Sequence, residues 1–384
     1  MGRTYLLQDV LGGVTLDLFK FRSTEPYLEG GELINGTTSV MWVERYRENG
    51  EFTIIAPVSS NLRTMLPLGT LISHMDTTEV MVVENHEIVA NTDDELEITI
   101  TGRSLETELE NRIVGANRTM PLASGAALPE YTLAADYTWI QAVTLVNDHI
   151  YGPSLIDSDD ELINMQCLHQ VAGTSVSEER PLKRATVYKH LLEIAEVDDL
   201  GIKTVRPGIW SPYPVADRKT AFIIHVGNDF TDSVVFSYAS GEVQNAQYLW
   251  SNKRVKTSAL VTSTWLETVV NGPEANYDRR TMFVDVSEID SAETVAPTGA
   301  TRTAYLAVMA TLGNQALAGQ KEIALAKADI NKTGTRYLYR TDYEVGDLVM
   351  VHGDYDTSRI MRVVEYVEID DENGESGYPT LSVY

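Results

Sequence analysis

The 384 residues carry 30 Lys+Arg against 56 Asp+Glu, a formal charge of −26, with 22% charged and 43% hydrophobic residues. Those fractions are ordinary for a chain that buries a core, which excludes a disordered acidic tail. The excess of acid argues against a nucleic-acid reader and against docking on anionic lipid, since both need clustered Lys and Arg.

A single cysteine, Cys167, excludes an internal disulfide framework and every zinc site built from several thiolates. It reads as a small buried hydrophobe rather than a nucleophile. The N-terminus, Met1 to Asp9, has no long apolar stretch, so no cleaved signal is expected. No apolar run approaches the roughly 20 residues that span a bilayer. The expectation is a soluble protein made in a cytoplasm, with two to four domains at roughly 100–200 residues each.

The first 100 residues read mostly as strand. Phe52 and Ile54 alternate with Thr53, and Leu96, Ile98 and Ile100 alternate with Glu97, Thr99 and Thr101, giving one wet and one buried face. Gly30-Gly31, Asn35-Gly36, Asn49-Gly50 and Asn91–Asp94 punctuate the runs, and Asn49-Gly50 is a tight-hairpin candidate. At Gly102 the pattern changes. Ser104 is placed to cap a helix carrying Leu105, Leu109 and Ile113. Thr119–Tyr137 reads as a long loop. A helix from Thr138 aligns Trp139, Val143, Val146 and Ile150, with Gly152 at its end. Another after Pro181 aligns Val187, Leu191 and Ile194, with Gly201 as its stop.

Strands return after the Pro-rich stretch 206–214, at Ala221–Val226, Ser233–Tyr238, Lys256–Val261 and Met282–Val286. Thr303–Ile330 is Ala-rich and predicts a helix. Leu348–Val351 and Met361–Ile369 predict strands, with a polar hairpin tip at 370–374. The domain plan is therefore a first β section at 1–103, a helical and loop-rich insert at 104–215, a second β section at 216–300, a helical insert at 301–332, and strands at 333–384 that complete the second β section.

Motifs for known chemistry are absent. There is no G-x-S-x-G, no H-E-x-x-H, no phosphate-binding loop and no dinucleotide fingerprint. The seven histidines are scattered. His74-Met75-Asp76 reads as a turn rather than a metal site. Asp157–Glu161 and Asp354–Asp356 resemble fragments of calcium loops without the twelve-residue ligand spacing, and read as solvated acidic loops. The N-x-[ST] sites at Asn35, Asn117 and Asn331 mean little without an export signal. No cofactor, metal or catalytic residue is expected. The many acids leave a carboxylate pair for glycoside hydrolysis open, because such pairs are recognised by separation in space. Residues 76–110 hold 11 acids and one base, and residues 341–377 hold 11 acids and two bases. These lie in β sections, so they are read either as a solubilising surface or as a wall that polyanions pass without sticking.

Several passages resemble the tail-tip or baseplate hub proteins of tailed bacteriophages, the siphovirus tail-hub-like group. They are Val40–Ile54, with Trp42, Arg45, Gly50 and Phe52; Ile98–Glu106, with Gly102 and Arg103, and Arg112 following; Asp199–Ile202 leading to Val205-Arg206-Pro207; Ser233–Ser237; and Tyr337–Val349, with Tyr343, Gly346 and Asp347. Their shared order runs from about residue 38 to 365. The chain stops soon after the last β unit, without the extension that carries peptidase, lysozyme or receptor-binding activity in some relatives, so such activity is not expected.

The resemblance implies an α+β, mainly β, fold. Each chain would hold two similar small β-barrel domains, each interrupted by a helical or loop insert, and three chains would form a pseudo-sixfold homotrimeric ring. It implies a non-enzymatic structural protein of the virion tail, assembled in the host cytoplasm. Its partners would be the distal tail and tail tube proteins, the tape-measure protein, and tail-tip or fibre proteins below. DNA would pass through its channel without specific binding. Among the motif residues, Gly102 is read as a position a Cβ would block and Arg103 as the partner of a local acid. Gly346-Asp347 is read as a bend in which Asp347 holds backbone amides, and Trp42 and Tyr343 as core or seam aromatics. The competing readings are a cell-wall hydrolase and a receptor-binding module.

Overall fold

The computed structural model describes residues 18–21, 32–34, 36–74, 77–90, 96–114, 131–150, 165–169, 176–177, 179–205, 220–237, 243–272, 278–287, 296–318, 320, 323–330, 336–352 and 358–383. The expected turns at 30–31 and 91–94, the Pro-rich stretch 206–214, Asp76, the acidic loops 157–161 and 354–356, and the three N-x-[ST] asparagines lie outside them.

The fold is mostly β. One 13-stranded sheet contains strands from both β sections. Its N-terminal half orders the strands Ser39–Arg45, Glu51–Pro57, Leu96–Ser104, Met81–Ala90 and Leu71–His74, with Leu18–Phe21 and Glu32–Leu33 at the far edge. Its C-terminal half orders Ser358–Asp371, Gly374–Val383, Ile323–Ile330 and Val243–Ser251, while Leu348–His352 and Val235–Ser237 branch from Ser358–Asp371. The halves meet where Ser39–Arg45 runs antiparallel to Ser358–Asp371, with Arg45 opposite Glu365 and Val40 opposite Asp370.

That junction differs from the separate barrels the resemblance implies. Among the described residues no closed barrel forms. The reason lies in the 14-residue strand Ser358–Asp371. Its first part pairs with Leu348–His352 and its last part with Ser39–Arg45, so it belongs to both halves and stitches them together.

Alternation builds the first core. Trp42, Phe52, Ile54, Ala56, Ile98 and Ile100 are fully buried on one face, and Trp42 stacks on Phe52 with ring centroids 6.1 Å apart. The C-terminal half has its own core, where Phe236 takes Tyr337 and Tyr343 edge-on. The expected hairpin at Asn49-Gly50 is a five-residue connection, 46–50, rather than a two-residue turn.

The helices Thr138–Ile150 and Val187–Val197 share a core with a small sheet of Met165–His169, Thr220–His225 and Gly201–Val205. Val187, Leu191 and Ile194 line the buried face of the second helix, at the spacing of a helical stripe. Thr186 caps it, its Oγ1 accepting from the Lys189 amide at 3.2 Å. Its end is set by Asp199 in the left-handed region (φ 53°), not by Gly201, which already opens a strand. Ser104 caps no helix. The strand Leu96–Ser104 runs into a single 3₁₀ turn, Leu105–Leu109, and the Ser104 Oγ instead accepts the Gly50 amide at 2.9 Å.

A last unit packs the helix Gly299–Ala318 against a three-stranded sheet of Glu267–Asn271, Ser258–Thr262 and Thr281–Asp285. The Ala-rich segment expected to be one helix to Ile330 stops at Ala318. Ile323–Ile330 is a strand instead, paired on both sides, with Val243–Ser251 and Gly374–Val383. Two hydrogen-bonded neighbours outweigh the helix propensity of its alanines. No described helix is long and apolar enough to cross a membrane.

Candidate functional site: a buried ionic seam

Three parts of the fold converge where the strand Ser39–Arg45 leaves the sheet: the N-terminal half, the helical insert and the C-terminal half. Strand parity carries charge into this seam. Val40, Trp42 and Glu44 share one buried face with their register partners Asp370, Glu368 and Tyr366. Arg340 answers both strands. Its guanidinium bonds Glu44 (Nη2–Oε1, 2.9 Å) and Glu368 (Nη1–Oε2, 2.9 Å). Tyr339 Oη donates to the other Glu44 oxygen at 2.5 Å while its ring stacks flat on Tyr366 at 3.6 Å. Burial alone would push the Glu44 carboxyl up. The Arg340 charge and hydrogen bonds from Thr77, Tyr339 and Arg340 override it and hold Glu44 at about 2.

A second knot centres on Asp199. Arg47 and Arg362 each bond one of its carboxylate oxygens, and its carbonyl accepts from Tyr46 Oη at 2.7 Å. Arg362 also donates to the Gly346 carbonyl and lies 4.9 Å over the Tyr46 ring. Gly346 is at φ +101°, and a Cβ there would fall 2.6 Å from that ring. Glycine therefore serves both the backbone and the close approach. Asp347 next to it turns the chain, its Oδ1 accepting the Asn228 amide and its Oδ2 the Glu344 amide, each at 2.7 Å.

A third knot joins Arg45 and Arg103. Arg45 bonds Glu365 across the sheet junction and Glu51 on its own hairpin, both at 2.7 Å. Arg103 takes Glu84 through two nitrogens, at 2.8 and 2.9 Å, and Glu110 at 2.8 Å, while Asn49 holds the other Glu110 oxygen. Both arginines work beside a β-bulge, one between Val83 and Asn85 and one between Val363 and Glu365. A bulge re-aims the next side chain, here Glu84 and Glu365, toward its arginine.

The structure thus brings Arg45, Gly50 and Arg103 together and sets Gly346 and Asp347 beside them. Trp42, Phe52 and Gly102 lie in the first core, and Tyr343 lies in the C-terminal core. Glu44, Glu106, Asp199 and Arg340 lie in the passages read by motif without being singled out there, and Glu79, Arg362 and Glu368 lie outside them. Much of the acid in the two dense segments is internal: Glu79, Glu106, Asp347, Glu368 and Asp370 are buried, and Glu84 and Glu365 pair with arginines. These acids are not part of a solvent-facing wall. Cys167 packs against the helical core, and burial pushes its thiol up.

Glu44, Glu79, Lys203, His225, Arg340 and Glu344 line a cavity of about 70 Å³. That is room for a few waters, far below the roughly 300 Å³ of a small-molecule site. Burial, and then the nearby charges of Glu44 and Glu106, push Glu79 well above the ordinary carboxyl value. An acid whose folded value is raised binds more protons folded than unfolded. Its contribution is fully present below the unfolded value near 4.5 and is lost as pH rises through the folded one. Glu79→Gln is therefore expected to raise the melting temperature at pH 8 by roughly 2 °C or more and to change it little at pH 4. Melting curves of both proteins from pH 4 to 8 measure this, and a constant difference across that range would refute it.

The fold is that of phage tail proteins. Over 96% of both chains it superposes on a tail protein from Neisseria meningitidis MC58 with a TM-score of 0.57 at 11% identity. A 43 kDa tail protein of prophage MuSo2 from Shewanella oneidensis gives 0.55 at 12% identity, over 95% of this chain and 97% of that one. The prophage tail protein gp18 from Listeria monocytogenes EGD-e gives 0.54 at 10%, over 95% and 94%. The sequence profile of the siphovirus ReqiPepy6 Gp37-like proteins matches residues 25–380, and the chain belongs to that family. No curated protein sequence matches significantly.

Proposed function

We propose that this protein is a structural hub of a phage tail tip or baseplate. In this reading three copies form a ring. The two β sections of each chain, 1–103 and the pair 216–300 and 333–384, supply six similar units. The ring then adapts threefold to sixfold symmetry beneath the distal tail and tail tube proteins, with the tape-measure protein above and tip or fibre proteins below. DNA crosses its channel past exposed acids without binding, because an acidic wall offers phosphates no contact. The protein acts in the virion tail after assembly in the host cytoplasm, and its role is architectural rather than catalytic.

The observation that carries this reading is the seam. Charged residues are paired there across three parts of the chain, the two halves of the large sheet and the helical insert, around a cavity of about 70 Å³. Such an arrangement holds shape. Sedimentation of the purified chain at micromolar concentration, with negative-stain imaging, tests the reading: a trimer and a ring with a central hole are expected. A monomer with no rings at any concentration would sink it.

A further inference from the structure

The unit built on the helix Gly299–Ala318 has one covered face and one open face. Ala259, Val261 and Met309 close its core, where the helix lies on the three-stranded sheet. By strand parity the opposite face carries Ser258, Leu260 and Thr262 on the middle strand. Register sets three rows across that face: Asn271–Ser258–Thr281, Val269–Leu260–Phe283 and Glu267–Thr262–Asp285. The middle row is apolar and open, with Val269 47% and Phe283 66% exposed.

Charge divides the two ends of the face. Ser258–Thr262 and Thr281–Asp285 run parallel, so the residues ahead of both strands lie at the same end. Those residues are basic: Lys253 and Arg254 ahead of one strand and Arg279 ahead of the other, all exposed. Arg280 Nη1 ties the two segments together by donating to the Asn252 carbonyl at 2.6 Å. Arg279 lies on the open face, because its Nε donates to Thr281 Oγ1 at 3.3 Å and that oxygen is 2.9 Å from Ser258 Oγ. The other end holds Glu267 and Asp285, both exposed. Among the described residues no acid pairs with Lys253, Arg254 or Arg279, and no base pairs with Glu267. Lys183 of the helical insert directs its charge at Asp285, so Glu267 is the more available acid. Arg279 and Asp285 are separated by about 20 Å of strand.

We infer that this face is a two-fold contact with the same face of a second copy. Turning one copy by 180° about an axis across the strands, close to the apolar row, lays Val269, Leu260 and Phe283 against their own counterparts. The same turn brings each basic end over the acidic end of the other copy. An axis along the strands would set like charge on like, so charge selects the first orientation. A patch that complements itself is what an isologous contact requires. Stacked sheets lie about 10 Å apart, which paired Phe and Arg side chains can fill. Apolar burial supplies the holding free energy and the opposed ends fix the direction. Phosphates would gain nothing from Val269 and Phe283 and would meet Glu267 and Asp285, so a nucleic acid fits this face poorly. Neighbours within a threefold ring are not related by a two-fold axis. The contact therefore joins chains of different rings, or chains outside a ring, and does not depend on the ring reading.

Sedimentation and cross-linking of the full chain test it. Species of even number are expected, pairs of single chains or pairs of rings. In a Cys167→Ser background, Val269→Cys treated with a short bismaleimide is expected to give a cross-linked dimer from that single variant. K253E/R254E/R279E and E267K/D285K, their folding checked by circular dichroism and melting, are each expected to pair at least about tenfold more weakly alone. Mixed one to one, they oppose unlike charge at both ends, and pairing is expected to return. In wild type, 0.5 M salt is expected to weaken pairing. Trimers that never pair would overturn the contact and leave the ring standing, whereas pairs without trimers would support the contact and sink the ring. A mixture that fails to restore pairing would also overturn the contact. So would charge reversal that abolishes retention of duplex DNA in a gel while pairing is unchanged, because the basic end would then be a nucleic-acid contact.

Discussion

Arg340→Met is expected to destabilise the protein by about 3–5 kcal/mol at neutral pH, because it strands two buried carboxylates. Glu44 and Glu368 have side chains 12% and 4% exposed, and each takes one arm of the Arg340 guanidinium at 2.9 Å. The substitution keeps a long side chain in place and leaves both acids without this cation. Both are buried, so each must bind a proton or stay ionised at a cost. The pH response should change sign. In the wild type, Glu44 at about 2 lies below its unfolded value of 4.5. Its contribution is therefore present above 4.5 and lost as pH falls toward 2. In the variant the folded value rises above the unfolded one, so this position gains stability as pH falls. Denaturant unfolding at pH 5 and pH 8 measures both effects. The triple variant Glu44→Gln/Glu368→Gln/Arg340→Met is expected to recover much of the loss. If Arg340→Met alone costs less than about 1 kcal/mol and keeps the wild-type pH slope, the seam is an ordinary surface network.

Where one strand face is wet and the other dry, the sequence alone was legible. Phe52, Ile54, Ile98 and Ile100 alternate as read and form the first core. Val187, Leu191 and Ile194 mark their helix by spacing alone. The seam was harder for a physical reason. Glu44 falls on the same parity as Val40 and Trp42, which is a readable hint that a charge faces inward. Nothing local says what receives it, because Arg340 lies 296 residues away in sequence. The junction of the two β sections was hidden for a similar reason. Alternation in Ser358–Asp371 reports that it is a strand, and only the fold reports that it pairs with Leu348–His352 at one end and Ser39–Arg45 at the other. Ile323–Ile330 shows the opposite failure. Its alanine content looks helical, and the pairing that makes it a strand is non-local.

Gly102→Ala is expected to cost about 3 kcal/mol or more, a large effect for one methyl group. A Cβ at this position would lie 1.8 Å from the Val82 carbonyl oxygen, 2.8 Å from its carbon and 2.6 Å from the Phe52 ring. A ring can rotate away, but Val82 is backbone in the adjacent strand, paired with Arg103 one residue on. Relief therefore requires the strand Met81–Ala90 to move as a unit, next to the bulge that aims Glu84 at Arg103. Two losses should appear together: packing of Trp42, Phe52 and Ile100, and the double hydrogen bond from Arg103 to Glu84. Gly374→Ala is the matched control. Gly374 sits at φ +101° with nothing within 4 Å of an added methyl, so only the backbone conformation is penalised, by about 1–2 kcal/mol. Melting of the two variants separates steric from conformational cost. Equal losses would mean that the strand yields easily and that the close approach at Gly102 is not what holds this face of the sheet. A larger loss at Gly102 that Arg103→Met adds little to would show that the packing and the ion pair fail as one unit.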